Sequence, residues 1–260
     1  MNEMKKWKTL LVLVSSVLVL GGCQKATPKE EAKDDKKEET VLYVTRHGKT
    51  ILNTLDRVQG WADTPLTKEG RDVAEKLGQG LKQEGIKFKS VYSSDLGRAK
   101  ETARIVCNEL EYKKGINEIE GLREASYGMF EGDLNKNMMS AILKENDMKS
   151  PNELMEQGMD MWKISANTLN KIDDLHIAED ADMITKRMLS SLEEISKKTY
   201  SEGGGNVLIV GHGMSISLLL DALDDSLPFD GHLANASVSK ITYDGKNYHV
   251  QSIGDTSYIE

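Results

Sequence analysis

Val41-Leu42-Tyr43-Val44-Thr45-Arg46-His47-Gly48 is the stretch on which the reading of the fold turns. Val41–Thr45 is a short β-branched and apolar run, bounded by charges before it and by Gly48 after it, which predicts a buried strand. It breaks directly into Arg46-His47-Gly48. Two later stretches have the same form. Ser90–Ser93 predicts a second strand and leads into Ser93-Ser94-Asp95-Leu96-Gly97-Arg98, where a helix over Leu96–Leu110 opens with Ala99, Ala103, Val106 and Leu110 on one face. Asn206–Val210 predicts a third strand, entering Gly211-His212-Gly213 and an apolar helix over Ser215–Leu223.

Working outward, Thr67 is placed to cap a helix carrying Val73, Ala74, Leu77 and Leu81, ending near Gly85. Residues 138–199 read as mostly helical, with nine methionines between positions 129 and 188. Ser237–Tyr243 and Tyr248–Ile253 read as two strands joined by Asp244-Gly245, a hairpin turn signal. Strands alternating with helices predict a three-layer α/β/α sandwich around a mixed, mainly parallel sheet. No repeat or linker divides the folded part, which is taken as one domain, 41–260, with a helical insertion at about 133–205.

In such a sheet, functional groups gather where strands end and loops begin. Three parallel strand ends would deliver Arg46, His47, Arg98 and His212 into one crevice, with the positive ends of two helices beside them. That set predicts an anion site, and phosphate suits the planar donor fork of arginine. Gly48-Lys49-Thr50 imitates the end of a nucleotide-binding P-loop, but that motif needs glycine at position 43, where this chain has Tyr43. The five histidines (47, 176, 212, 232 and 249) have no HExxH spacing, so no zinc site is predicted.

Composition narrows the classes further. The chain has 260 residues, 38% of them hydrophobic, which suits a soluble globular fold. Two cysteines exclude a disulfide framework. The formal charge is −8, and it falls to about −10 once the basic residues 1–22 are set aside, the opposite of a nucleic-acid binder. Lys5, Lys6 and Lys8 precede an apolar run, Leu10–Leu20, that covers only about 16 Å as a helix. A signal peptide over 1–22 is therefore predicted in preference to a membrane span. Leu20-Gly21-Gly22-Cys23 resembles the lipobox of bacterial lipoproteins, which implies acylation of Cys23 and anchoring to a lipid membrane on its extracytoplasmic face. Eleven of the 17 residues in Gln24–Thr40 are charged, with nearly balanced signs, so 23–40 reads as a solvated tether.

A wider resemblance rests on several motifs in order. Leu42–Thr50 with Asn53, Gln59-Gly60-Trp61-Ala62-Asp63-Thr64-Pro65-Leu66-Thr67-Lys68-Glu69-Gly70, and Ser93–Ala103 resemble the histidine phosphatase superfamily, in its phosphoglycerate-mutase-like branch. Leu122-Arg123-Glu124 with Tyr127-Gly128 and Phe130-Glu131-Gly132 resembles the segment bearing the acid. Val210-Gly211-His212-Gly213 and Asn235-Ala236-Ser237 resemble the second-histidine motif and the strand after it. The likeness is strong over 41–132 and 206–243 and thin between.

The resemblance implies that His47 attacks phosphorus and carries it as phosphohistidine, while Arg46, Arg98 and His212 hold the transferring group. Glu124 would protonate the leaving alkoxide and then deprotonate water. Asn53, Gln59 and Gly213 would line the substrate, a phosphorylated small molecule, and neither metal nor cofactor is implied. Glu131, Glu101 and Asp95 are rivals of Glu124 that only motif position disfavours. The family's mutases read Glu-Arg-His-Tyr-Gly where this chain has Glu124-Ala125-Ser126-Tyr127-Gly128, which favours a phosphatase over a mutase-type phosphotransferase. An anion-binding lipoprotein without catalysis is the remaining class. Relatives often carry Glu where Lys49 stands, so a cation at the rim selecting acidic substrates is expected. Met155, Met159 and Trp162 are expected in the core rather than lining a pocket, His232 and His249 at the surface or in the core, and Cys107 as a buried free thiol. The sequence leaves the oligomeric state open.

Overall fold

Along the central strands, successive side chains go to opposite faces of one sheet, and each face has its own core. Leu42, Val44, Val207 and Ile209 face one cluster, while Tyr43, Leu208 and Val210 face the other. The computed structural model describes residues 38–226 and 231–260. The expected signal peptide, Cys23 and the tether up to residue 37 lie outside the described residues.

In chain order the elements are β1 (Thr40–Arg46), α1 (Ile51–Thr54), α2 (Lys68–Gln83), β2 (Phe88–Ser94), α3 (Gly97–Glu109) and β3 (Ile116–Ile119). Then come α4 (Asn135–Glu145), α5 (Pro151–Met155), α6 (Asp160–Ile172), α7 (Ala181–Ser201), β4 (Gly205–Gly211), α8 (Gly213–Leu223), β5 (Val238–Tyr243) and β6 (Tyr248–Asp255). The sheet order is β3-β2-β4-β1-β5-β6. The first four strands are parallel neighbours, and β5 and β6 add an antiparallel edge. This is the mixed, mainly parallel α/β sandwich that the alternation of elements predicts.

Helices α2 and α3 cover one face through Leu77, Leu81, Ala99, Ala103 and Val106. Helices α6, α7 and α8 cover the other through Leu169, Ile184, Met188, Leu192, Ile216 and Leu219. The helical stretch after residue 133 is therefore part of the main core. Thr67 caps α2 as predicted, its Oγ1 accepting from Gly70 N at 3.0 Å. The three expected parallel strands each extend by one or two residues at both ends, and β1 starts at Thr40, already buried.

The sequence reading missed β3. That strand has four residues, pairs only with β2, and keeps Asn117 and Glu118 exposed, so it carries no apolar period. The helical region is also broken where one long helical reading would run through. Asp173 ends α6 by accepting from Met129, Leu175, Ile177 and Ala178 backbone N–H groups, and Gly158 takes a positive φ of 58° between α5 and α6. Met155 consequently points outward, 56% exposed, and Leu154 takes the core position.

Gly48 is required by close approach. Its backbone crosses the first turn of α2, and a Cβ would run into the Gly70 carbonyl. Gly48→Ala is expected to destabilise the protein by about 1–3 kcal/mol, the range for overpacking. Calorimetry should find a melting midpoint several degrees lower, while Gly115→Ala, at an open position, leaves it nearly unchanged.

Candidate active site

β1, β4 and β2 lie side by side and parallel, so their C-terminal ends bring Arg46-His47, His212 and Arg98 together. His47 is 3% exposed. Its Nδ1–H donates to Gly48 O at 2.7 Å, which leaves the lone pair on Nε2. Arg98 Nε donates to that Nε2 at 3.2 Å. Burial, reinforced by the charges of Arg98 and Arg46, holds the His47 pKa well below the usual histidine range. The ring is therefore a neutral nucleophile aimed through Nε2.

His212 stands at the N-cap of α8, wholly buried, with its ring centroid 5.2 Å from that of His47. Burial first, then Arg98, keeps it neutral too. Both of its ring nitrogens, and Arg46 Nε, are buried without a hydrogen-bond partner among the described residues. Buried polar groups are normally paired, so these three mark where a ligand's oxygens belong. Arg46 Nη1 is anchored on Leu233 O at 2.6 Å.

Arg98 is placed differently from expectation. It is fully buried and donates to Gly60 O at 2.7 Å, Ala62 O at 3.2 Å and Asp63 Oδ1 at 3.1 Å besides His47. Its fork is taken up by the 59–63 loop, so in this structure it orients His47 rather than facing the cavity. The helix N-termini also differ. Gly97 N at the start of α3 donates to Asp63 Oδ2, and Met214 N and Ser215 N at the start of α8 donate to Glu124 Oε2 and Oε1 at 3.1 and 2.9 Å. Protein carboxylates thus occupy the positive ends that the sequence reading gave to substrate.

Geometry separates Glu124 from its rivals. Glu124 is 6% exposed, lies beside the histidines and lines the cavity. Glu131 accepts from Gly60, Trp61, Ala62 and Tyr127 backbone N–H groups, a clasp that shapes the loop. Glu101 holds Leu66 N and Arg71, and Asp95 pairs with Arg123. Asn53, Gln59 and Gly213 line the cavity as expected. Asn53 Oδ1 is also engaged in the capping box of α1, and Gln59 bonds Thr50 and Thr64.

The cavity of about 380 Å³ also takes Arg57, Asn135, Met138, Met139, Trp162, His232 and Leu233. Trp162 packs against the core and His232 is exposed, as expected of them, and both also line the cavity. Lys49 is exposed and outside the lining, with its charge acting on Glu69 in the first turn of α2. Cys107 is buried and free, and burial pushes its thiol up to about 11, which makes it inert. Arg187 and Glu179 were missed altogether. Arg187 pairs with Glu179 and donates to Gly121, Arg123 and Glu124 carbonyls, while Glu179 accepts from Ser126 N. Together they fix the segment that presents Glu124, and no local signal in the sequence distinguishes Arg187 from any other helix-surface arginine.

The family model of the histidine phosphatase superfamily (branch 1) matches residues 42–256, nearly all of the described chain. The chain belongs to this superfamily. A crystal structure of phosphoglycerate mutase from Bacillus anthracis is similar at 41% identity and a TM-score of 0.81, covering 87% of this chain and 98% of that one. Bacillus stearothermophilus YhfR is 32% identical over 85% of this chain and 100% of that one, with a TM-score of 0.67. Probable phosphoglycerate mutase GpmB of Yersinia pestis is 27% identical over 234 residues, 84% of this chain and 94% of that protein. Membership of this superfamily matches the resemblance drawn from the motifs.

The histidine pKa directions set a pH dependence. Folded-state values below the unfolded value of about 6.5 mean that the unfolded chain binds the extra protons, so these two groups lower stability as pH falls below about 7. Ring 15N spectra at pH 6 are expected to give His47 as the neutral tautomer protonated on Nδ1. A doubly protonated ring at that pH would contradict the assignment.

Proposed function

We propose that the protein is a phosphomonoester hydrolase working through a phosphohistidine on His47. The observation that carries this is the neutral, buried His47 with its Nε2 lone pair held by the Nδ1–Gly48 bond, beside unpartnered His212 nitrogens and Arg46 Nε. In the first step, the Nε2 lone pair gives up its hydrogen bond from Arg98 Nε and forms a bond to phosphorus as the ester P–O bond breaks, and Glu124 gives a proton to the leaving alkoxide. In the second, water attacks phosphorus, passes a proton to Glu124, and the N–P bond breaks to release phosphate. Arg46 and His212 stabilise the equatorial oxygens throughout, and Arg98 keeps the ring in line.

The names of the relatives favour a second reading, transfer of the phosphoryl group back to a sugar acid. Two features of this chain weigh against it. Ala125, buried, follows Glu124 where the family's mutases have arginine, and Met138, Met139, Trp162 and Leu233 give the cavity an apolar share of its lining. The full chain is expected to release phosphate from a generic phosphate monoester without interconverting 2- and 3-phosphoglycerate. His47→Ala should remove turnover, and Glu124→Gln should lower kcat by about 10²- to 10⁴-fold. Acid-labile label on the wild-type chain during turnover, absent from His47→Ala, identifies the intermediate. Mutase turnover without net phosphate release would instead support the second reading.

The protein's place is proposed from its N-terminal sequence. Leu20-Gly21-Gly22-Cys23 supports cleavage before Cys23 and acylation of its sulfur, which would hold the enzyme at a membrane by its lipid, on the outer face. No helix among the described residues is long and apolar enough to cross a membrane. Labelled fatty acid is expected to enter the wild-type chain, and Cys23→Ser should lose both the label and the membrane fraction. Equal labelling of the two would exclude this anchor.

A further inference from the structure

The cavity lining contains two chemically different groups of residues. One comprises Arg46, His47, Glu124 and Gly213, which suffice for a phosphoryl group. A volume of about 380 Å³ leaves most of the space to whatever the phosphate is attached to. The rest of the lining includes the apolar Met138 and Met139 of α4, Trp162 of α6 and Leu233, beside the polar Asn53, Arg57, Gln59, Asn135 and His232. Asn135, Met138 and Met139 fall at helical i, i+3 and i+4 spacing, so one face of α4 supplies all three. Trp162 is fixed by Nε1–H donating to Gly231 O at 2.9 Å, and Gly231 sits at a φ of 83° so close that a side chain there would strike the indole. The ring is therefore a built surface, held before any ligand arrives.

We propose that the leaving group is flat and apolar, an aromatic alcohol seated between Trp162 and the two methionines, so that the substrate class is the phosphate monoesters of aromatic alcohols. This rests on the phosphomonoesterase reading above. Thioethers and an indole gain most from a ring, through sulfur–aromatic and ring–ring contacts that a polyol cannot make. A small sugar-acid ester would leave that wall wetted and would need cations for its carboxylate. Apart from Arg46, the one guanidinium among the described lining residues is Arg57, and its Nη1 is already bonded to Gly132 O at 2.7 Å.

Aryl esters also hydrolyse faster because phenoxides leave readily, so rates alone would mislead. Binding of non-hydrolysable phosphonates to the full chain, by calorimetry, separates recognition from chemistry. 2-Phenylethylphosphonate is expected to bind at least about tenfold more tightly than methylphosphonate, the discrimination that a well-fitted apolar pocket provides. The ratio should collapse in Trp162→Ala and in the Met138→Gln/Met139→Gln double variant, whose positions are only half-buried. It should persist in Met155→Ala, an exposed position outside the cavity. Equal affinities in the parent, no binding of either phosphonate, or a ratio that both wall variants preserve would overturn the proposal. Discrimination without His47-dependent hydrolysis of any ester would uphold the wall and sink the hydrolase reading. Hydrolysis without discrimination would do the reverse.

Discussion

Arg98 has no contact with water, yet it keeps a full set of acceptors, and the geometry of the whole site follows from where they lie. Nε reaches His47, and the two terminal nitrogens reach carbonyls and a carboxylate in the 59–63 loop. A charge left unpaired at such depth would cost several kcal/mol, so helix α3, the loop and the histidine must fold as one unit. Burial first, and then this charge 3.2 Å away, keeps His47 unprotonated in a medium of low polarity. Placing the guanidinium therefore places the ring and reinforces its neutral state.

A second constraint concerns the acid. Glu124 lies on a segment with little regular structure, and hydrogen-bond donors reach it from two sides. The first turn of α8 donates to its carboxylate, while Arg187 and Trp61 donate to its main-chain carbonyl. Arg187 comes from α7, in the middle of the stretch with least resemblance to the family. The helical stretch after residue 133 thus reaches the site in two ways. It holds Glu124 from behind and, through α4 and α6, supplies part of the cavity lining.

Much of the arrangement was legible in the chain. Strand periodicity, the Thr67 cap and the Asp244-Gly245 turn gave five of the six strands and the layer order. Arg46, His47 and His212 were readable because each directly follows a buried strand, and parallel neighbours end at a common edge. β3 was illegible because an exposed four-residue edge strand has no apolar period. The breaks between α4, α5, α6 and α7 were illegible because they depend on Asp173 and Gly158 meeting distant backbone or taking a left-handed turn.

The sequence by itself determined the α/β sandwich, the family and that Arg46, His47 and His212 meet at neighbouring strand ends, because local periodicity and contiguous motifs encode these. Only the tertiary structure decided how those residues divide the work. It gave Arg98 to the loop and the histidine, gave the helix N-termini to Asp63 and Glu124, and brought Met138, Met139 and Trp162 against the cavity. Each of these depends on which groups from distant parts of the chain meet in a largely buried site, where donors and acceptors are normally paired. Spacing along the chain carries no record of such meetings.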